Sequence, residues 1–199
     1  MLKKYMKLII GLISVMIIAV ILIVVLITGN KKLEIDISEL DFGFDWEADM
    51  SQVEKIMLEK GYEKIDTAVE NVLFFVIRDF QGIEGADGRV FFSFNKDTKK
   101  LEDISYAFSA EGVKGLKDIG GKMVVDLKES FDEAFKNNFD KSVSGTLIGV
   151  EWSDYSMYYL GEEAVIYISY NDDKKLMVTY TDKKVMPDVV EILEDIGAK

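Results

Sequence analysis

The chain has no cysteine, no histidine and a single proline, Pro187. Without cysteine there is no disulfide, no lipidated cysteine and no zinc–thiolate site, so the fold rests on its core alone. Without histidine the commonest general base and metal ligand is missing, and serine–histidine or cysteine–histidine nucleophile pairs cannot form. Arginine is limited to Arg78 and Arg89, and no Asn-X-Ser/Thr glycosylation acceptor occurs. The first 32 residues lack any acid and hold five lysines.

What is present is divided unevenly. Residues 33–199 contain all 36 acids against 19 of the 24 bases, a net charge of −17. That excess excludes nucleic acid as a partner of the larger part, since phosphate binding needs clustered Lys and Arg. It predicts a solvated acidic surface that keeps the domain monomeric. Residues 8–28 form an uncharged apolar run, long enough as a helix to span about 30 Å of hydrocarbon. Lys3, Lys4 and Lys7 flank one end and Lys31 and Lys32 the other, so the positive-inside rule places the N-terminus inside and the rest outside. A cleaved signal peptide fits less well, because the apolar run is long and no A-x-A exit follows it.

The length suits one or two domains. The expected organisation is a cytoplasmic tip and transmembrane anchor over 1–28, an acidic stalk over 29–45 and an extracytoplasmic domain over 46–199. Leu33, Ile35 and Ile37 alternate with polar residues and predict an edge strand. Ser51-Gln52-Val53-Glu54 reads as a capping box opening a helix that Gly61 ends. Strands are expected over 72–80, 89–94 and 101–108, then a helix over 122–138 with Val124, Leu127, Phe131, Ala134 and Phe135 on one face. Further strands are expected over 146–152, 157–160, 164–170 and 176–181, with Asn171 to Lys174 as a hairpin turn. Pro187 fits the first turn of a final helix. This order predicts an α+β fold: an N-terminal transmembrane helix, then an antiparallel sheet with helices packed on one face. Helix-then-meander occurs twice, which raises an internal duplication, but no residue-level repeat stands out along the chain.

One local pattern is familiar. Trp46, then Met50-Ser51-Gln52-Val53-Glu54 and Gly61-Tyr62, lead to Gly88-Arg89-Val90-Phe91-Phe92-Ser93-Phe94, Lys100-Leu101 and Ile104-Ser105-Tyr106-Ala107-Phe108. This resembles the unit of β-lactamase-inhibitor-protein-like folds and small bacterial envelope lipoproteins of the SmpA/OmlA type. The resemblance covers residues 42–108 and, loosely, 120–182, and its motifs are caps, turns and core positions. The chain departs from the lipoproteins in lacking a lipidation cysteine. The resemblance implies an envelope protein that acts through protein–protein contacts, and no catalytic or ligand residue carries over.

No constellation of residues carries catalysis. Ser93-Phe94-Asn95-Lys96 matches S-x-x-K, but the Ser falls in a strand and the companion motifs are missing. With 36 acids, carboxylate pairs arise by chance, which deprives them of weight as glycosidase signals. The acids from Asp36 to Asp49 lack the spacing of a calcium loop. Phe74, Phe75, Phe91 and Phe92 read as core, or as one sheet face beneath the second helix. Trp152, Tyr155, Tyr158 and Tyr159 could form a recognition surface, with sheet packing as the plainer reading. No catalytic residue, cofactor or metal is expected. The partners expected are membrane lipid along residues 8–28 and a protein of unknown identity. The function expected is a membrane-anchored extracytoplasmic binding or assembly module of a bacterial cell envelope, single-pass in the cell membrane. The alternatives are a carboxylate-dependent cell-wall enzyme and an accessory subunit of a membrane complex.

Overall fold

The computed structural model describes residues 33–111, 119–148, 153–171 and 173–196. The chain divides between Leu33 and Glu34, and the second unit carries the sheet and its helices. Its described residues form three α-helices, α1 (Met50–Glu59), α2 (Gly120–Asn138) and α3 (Pro187–Ile196). Eight strands accompany them: β1 (Glu63–Ile65), β2 (Val72–Ile77), β3 (Gly88–Phe94), β4 (Leu101–Ser109), β5 (Ser142–Ser144), β6 (Tyr155–Leu160), β7 (Ala164–Asn171) and β8 (Lys175–Asp182). All eight pair antiparallel in one sheet of order β1-β2-β3-β4-β8-β7-β6-β5.

The order of the sheet is two four-strand meanders joined at their last strands. Each meander follows its own helix, α1 in the first half and α2 in the second. The register exposes a repeat that the linear sequence hides. Val90-Phe91-Phe92-Ser93-Phe94-Asn95 matches Ile166-Tyr167-Ile168-Ser169-Tyr170-Asn171, Lys99-Lys100-Leu101 matches Lys174-Lys175-Leu176, and Ile104-Ser105-Tyr106 matches Val178-Thr179-Tyr180. The turns agree in detail: Lys99 and Lys174 both adopt left-handed backbone, at φ 62° and 53°. Asn95 and Asn171 each accept a backbone amide within their own turn through the side-chain oxygen. Ser105 pairs with Thr179 across the β4–β8 seam, so the pseudo-two-fold axis between the halves passes through that pair.

Side chains alternate between the two faces of a strand, and the first face carries the main core. There Phe80, Phe108 and Phe131 meet at ring separations of 5.2 to 6.2 Å, and Phe135 of α2 packs on Tyr159 and Tyr180. Helix α1 lies on the same side, where Glu54 meets Lys64 at 2.6 Å. The acidic segment expected as a stalk packs against this face. Leu40 is fully buried and its carbonyl accepts the Tyr106 hydroxyl at 2.6 Å, while Phe42 stacks on the Tyr106 ring. The Gln81 side chain clamps the same segment, accepting from Asp36 N at 2.8 Å and donating to Asp36 O at 2.7 Å. Asp36, Asp41, Asp45 and Asp49 each accept a backbone amide two or three residues ahead, so these acids shape turns. The capping box is set by Asp49 and Gln52, two residues before the expected Ser51.

Four expectations are corrected. The apolar run over residues 8–28 lies outside the described residues, and among the described residues no helix is long and apolar enough to cross a membrane. The longest, α2, is amphipathic, with Lys122–Asp126 and Asp132–Lys136 ion pairs along its polar side. The architecture of the described residues is therefore an eight-stranded antiparallel sheet with three α-helices, which does not support the transmembrane, signal-anchor and single-pass cell-membrane expectations. Second, the helices are not all on one face. Helix α3 packs on the opposite face, where Leu193 joins Val143, Tyr158 and Val165. Third, residues 33–37 are not a strand but lead into a 3-10 turn at Ile37–Glu39. Fourth, of the strand expected over 146–152, residues 149–152 lie outside the described residues and 146–148 belong to a 3-10 turn at Gly145–Ile148, with the edge strand β5 before it.

Candidate functional site

The second sheet face is built from one row that crosses every strand. Ile65, Phe74, Phe91 and Ser105 continue in register into Thr179, Tyr167, Tyr158 and Val143. The row is a palindrome of residue types: aliphatic, two aromatics and a hydroxyl, then a hydroxyl, two aromatics and an aliphatic. Ser105 and Thr179 hydroxyls bond at 2.8 Å on the axis. Phe74 stacks on Phe91 at 5.4 Å, and Tyr158 on Tyr167 at 5.3 Å.

The two ends of this row are treated differently. Helix α3 lies over the second-half end with Val189, Val190 and Leu193, and Val143, Tyr158 and Val165 are buried beneath it. Their counterparts Ile65, Phe74 and Arg89, with Phe91, are all half-buried. Helices α1 and α2 are on the other face, so no described helix occupies this end. We call Ile65, Phe74 and Phe91 the platform.

The neighbouring row supplies a groove of about 300 Å³ lined by Arg89, Ala107, Met177 and Ser169, with Asp87, Ser109, Asn171 and Lys175 at its far side. Arg89, Ala107, Met177 and Ser169 pair strand to strand, so the groove runs across the sheet beside the platform. Charges bracket these apolar surfaces. At one end Arg78 sits 3.4 Å from Glu63 and 3.7 Å from Asp87. At the other lies Asp103, which accepts the Thr181 hydroxyl at 2.6 Å. Burial pushes the Asp103 carboxyl up, the Thr181 bond opposes this in part, and Glu102 adds to it.

The four residues expected as a recognition surface are not brought together. Trp152 lies outside the described residues. Tyr158 belongs to the second face beneath α3. Tyr155 and Tyr159 are on the first face, both donating to Asp132 Oδ1 of α2, at 2.6 and 2.5 Å. Lys136 donates to the other Asp132 oxygen at 2.5 Å, and Lys128 stands 3.8 Å over the Tyr155 ring. Burial raises the Asp132 carboxyl, but the Lys136, Tyr155 and Tyr159 bonds outweigh it and hold the group below its usual range. This is a helix-to-sheet clasp. The aromatic pairs at 74–75 and 91–92 are split by strand alternation. Phe75 and Phe92 are fully buried in the first-face core, and Phe74 and Phe91 form the platform. The signal that separates them is the register between β2 and β3, which no single strand displays.

Among the described residues no group of three or more acidic side chains is placed to hold a metal ion. No family model, curated protein or solved structure matches the chain.

Proposed function

We propose that the chain is a non-catalytic binding module that holds a protein partner on the platform and the adjoining groove. The observation that carries this reading is the unequal cover of two equivalent aromatic stacks: α3 packs on one and buries its Tyr158, whereas in the other the counterpart Phe74 stays half-buried with no described helix upon it. The residue types support it. Phe74, Phe91, Arg89 and Met177 are of the kinds enriched where proteins meet, and both arginines of the chain lie on this face. The helix followed by a meander in each half, the first helix capped by Asp49 and Gln52, also supports the likeness to inhibitor-protein-like domains, which act through protein contacts. Carboxylate chemistry finds no support in the geometry. Asp103 and Asp132, the acids most engaged with buried hydroxyls, sit on opposite faces of the sheet.

Photo-crosslinking tests the proposal. p-Benzoylphenylalanine replaces Phe91 in the full chain, with Leu58, exposed on α1, as the control site. Position 91 should give a discrete heterologous protein adduct in cells, and Met177→Glu, which puts a charge into the groove, should weaken it. Equal adducts from positions 91 and 58, or none at 91, would overturn the reading.

A further inference from the structure

We infer that the partner presents an amphipathic helix with a basic polar side, laid on Ile65, Phe74 and Phe91 as α3 is laid on Val143, Tyr158 and Tyr167. The inference rests on the proposal that this half-face binds a protein, and it names the form that partner takes.

The protein already contains one such complex in its second half. Helix α3 sets Val189, Val190 and Leu193 on the Tyr158–Tyr167 stack. The first half repeats the stack with the same geometry in Phe74 and Phe91 and the same flanking aliphatic in Ile65. A surface that accepts a helix at one end of a palindromic row has the shape to accept one at the other. There is room for both. Adjacent strands are about 4.8 Å apart, so the two stacks are separated by roughly 20 Å across four strand spacings. Packed helices need only about 8–10 Å between axes.

The charge of the incoming helix follows from its surroundings. Residues 33–199 carry a net −17, a field that steers cations toward the domain. Around the platform, Glu63 and Asp87 offset Arg78, while at the other end Glu70, Asp97 and Glu102 outnumber Lys96 around Val72 and Ser93. Helix α3, across the same face, carries Asp188, Glu191, Glu194 and Asp195 and no base. A second acidic helix would be repelled from this site, and one with Lys or Arg on its outer side would be drawn in.

Two synthetic helical peptides test this, both with leucine and valine at the spacing of Val189, Val190 and Leu193. One has lysine at every polar position and the other glutamate. Binding to the full chain is followed by anisotropy, and the site by the fluorine resonance of 4-fluorophenylalanine at position 91. The lysine peptide should bind at least about tenfold more tightly, shift the position-91 resonance, and lose about tenfold in affinity to Phe74→Ala. Ile65→Asp, on the short edge strand, is a second variant should Phe74→Ala fail to fold. Equal affinity for both peptides, binding without a shift at position 91, or concentration-dependent dimerisation that places α3 of a second copy on the platform would overturn the inference. A heterologous crosslink at position 91 from an extended segment would sink the helix while leaving the binding function standing. Loss of that crosslink would sink both.

Discussion

Tyr106 and Tyr180 are counterparts in the two halves, and their hydroxyls meet opposite fates. Tyr106 is 1% exposed and donates to the buried Leu40 carbonyl at 2.6 Å. Tyr180 is 7% exposed, and its buried hydroxyl has no hydrogen-bond partner among the described residues. Replacing each by phenylalanine removes one oxygen and leaves the ring. At position 106 the change strands a buried carbonyl and deletes a bond, which costs about 1–2 kcal/mol. At position 180 it removes a desolvated donor that gains nothing in return. The expected result is no loss, or a gain of up to about 1 kcal/mol. The two variants should thus differ by about 2 kcal/mol, or roughly 4–8 °C in melting temperature for a chain of this size. Urea and thermal unfolding of both variants beside the parent protein measure this, with the urea slope unchanged if the unfolded state is not altered. If Tyr180→Phe costs as much as Tyr106→Phe, then the Tyr180 hydroxyl is bonded and the reasoning fails.

Helix α3 offers a second paired test: Leu193 is fully buried and Ile192 is 38% exposed, so Leu193→Ala should cost about 2–4 kcal/mol and Ile192→Ala under about 1 kcal/mol, read from urea midpoints. The Asp132 clasp should be acid-sensitive. Its folded carboxyl titrates below the usual 3.8, so its contribution is fully present above about pH 4 and is lost as pH falls through the folded value; Asp132→Asn should flatten the stability profile in that window, and an unchanged acid limb would count against the clasp. Lys174 holds φ 53°, so Lys174→Gly should relieve left-handed strain and stabilise by about 0.5–1 kcal/mol, whereas a net loss on melting would show that the turn is not strained there.

Much of the first face can be read along the chain. Val90, Phe92 and Phe94, and Ile104, Tyr106 and Phe108, alternate in sequence and are all buried on that face. Helix α2 follows from the spacing of Val124, Leu127, Phe131 and Phe135. Alternation at Leu33, Ile35 and Ile37 misleads because it is short and acidic. Aspartate side chains at 36, 41 and 45 bond nearby amides, which favours turns over an extended ladder. Helix α3 is amphipathic, with Leu193 at the centre of its apolar arc and Ile192 and Ile196 at the exposed edge of it. Its period therefore identifies a helix but not the sheet face it covers. The platform is hidden for a related reason. Phe74-Phe75 and Phe91-Phe92 look alike as dipeptides, and only pairing across strands assigns one ring of each to the core and the other to the binding face.

The duplication is obscured by two small differences in length. Three residues separate Asn95 from Lys99, but two separate Asn171 from Lys174, and the first hairpin carries a register shift at Ser93/Phe94. A comparison at constant spacing therefore drifts out of phase, although the paired strands stay equivalent in space. Once the register is known, the pattern of divergence has a direction. First-face counterparts keep their character, Val90 with Ile166 and Tyr106 with Tyr180, because dense packing penalises changes in volume there. The second face is where the halves part company: Val165, buried under α3, corresponds to the half-buried Arg89, and buried Tyr158 to half-buried Phe74. Selection for stability alone would treat both ends of a palindromic row alike. An arginine where the other half buries valine, beside aromatics kept at the water boundary, is the composition of a surface shaped by what it meets.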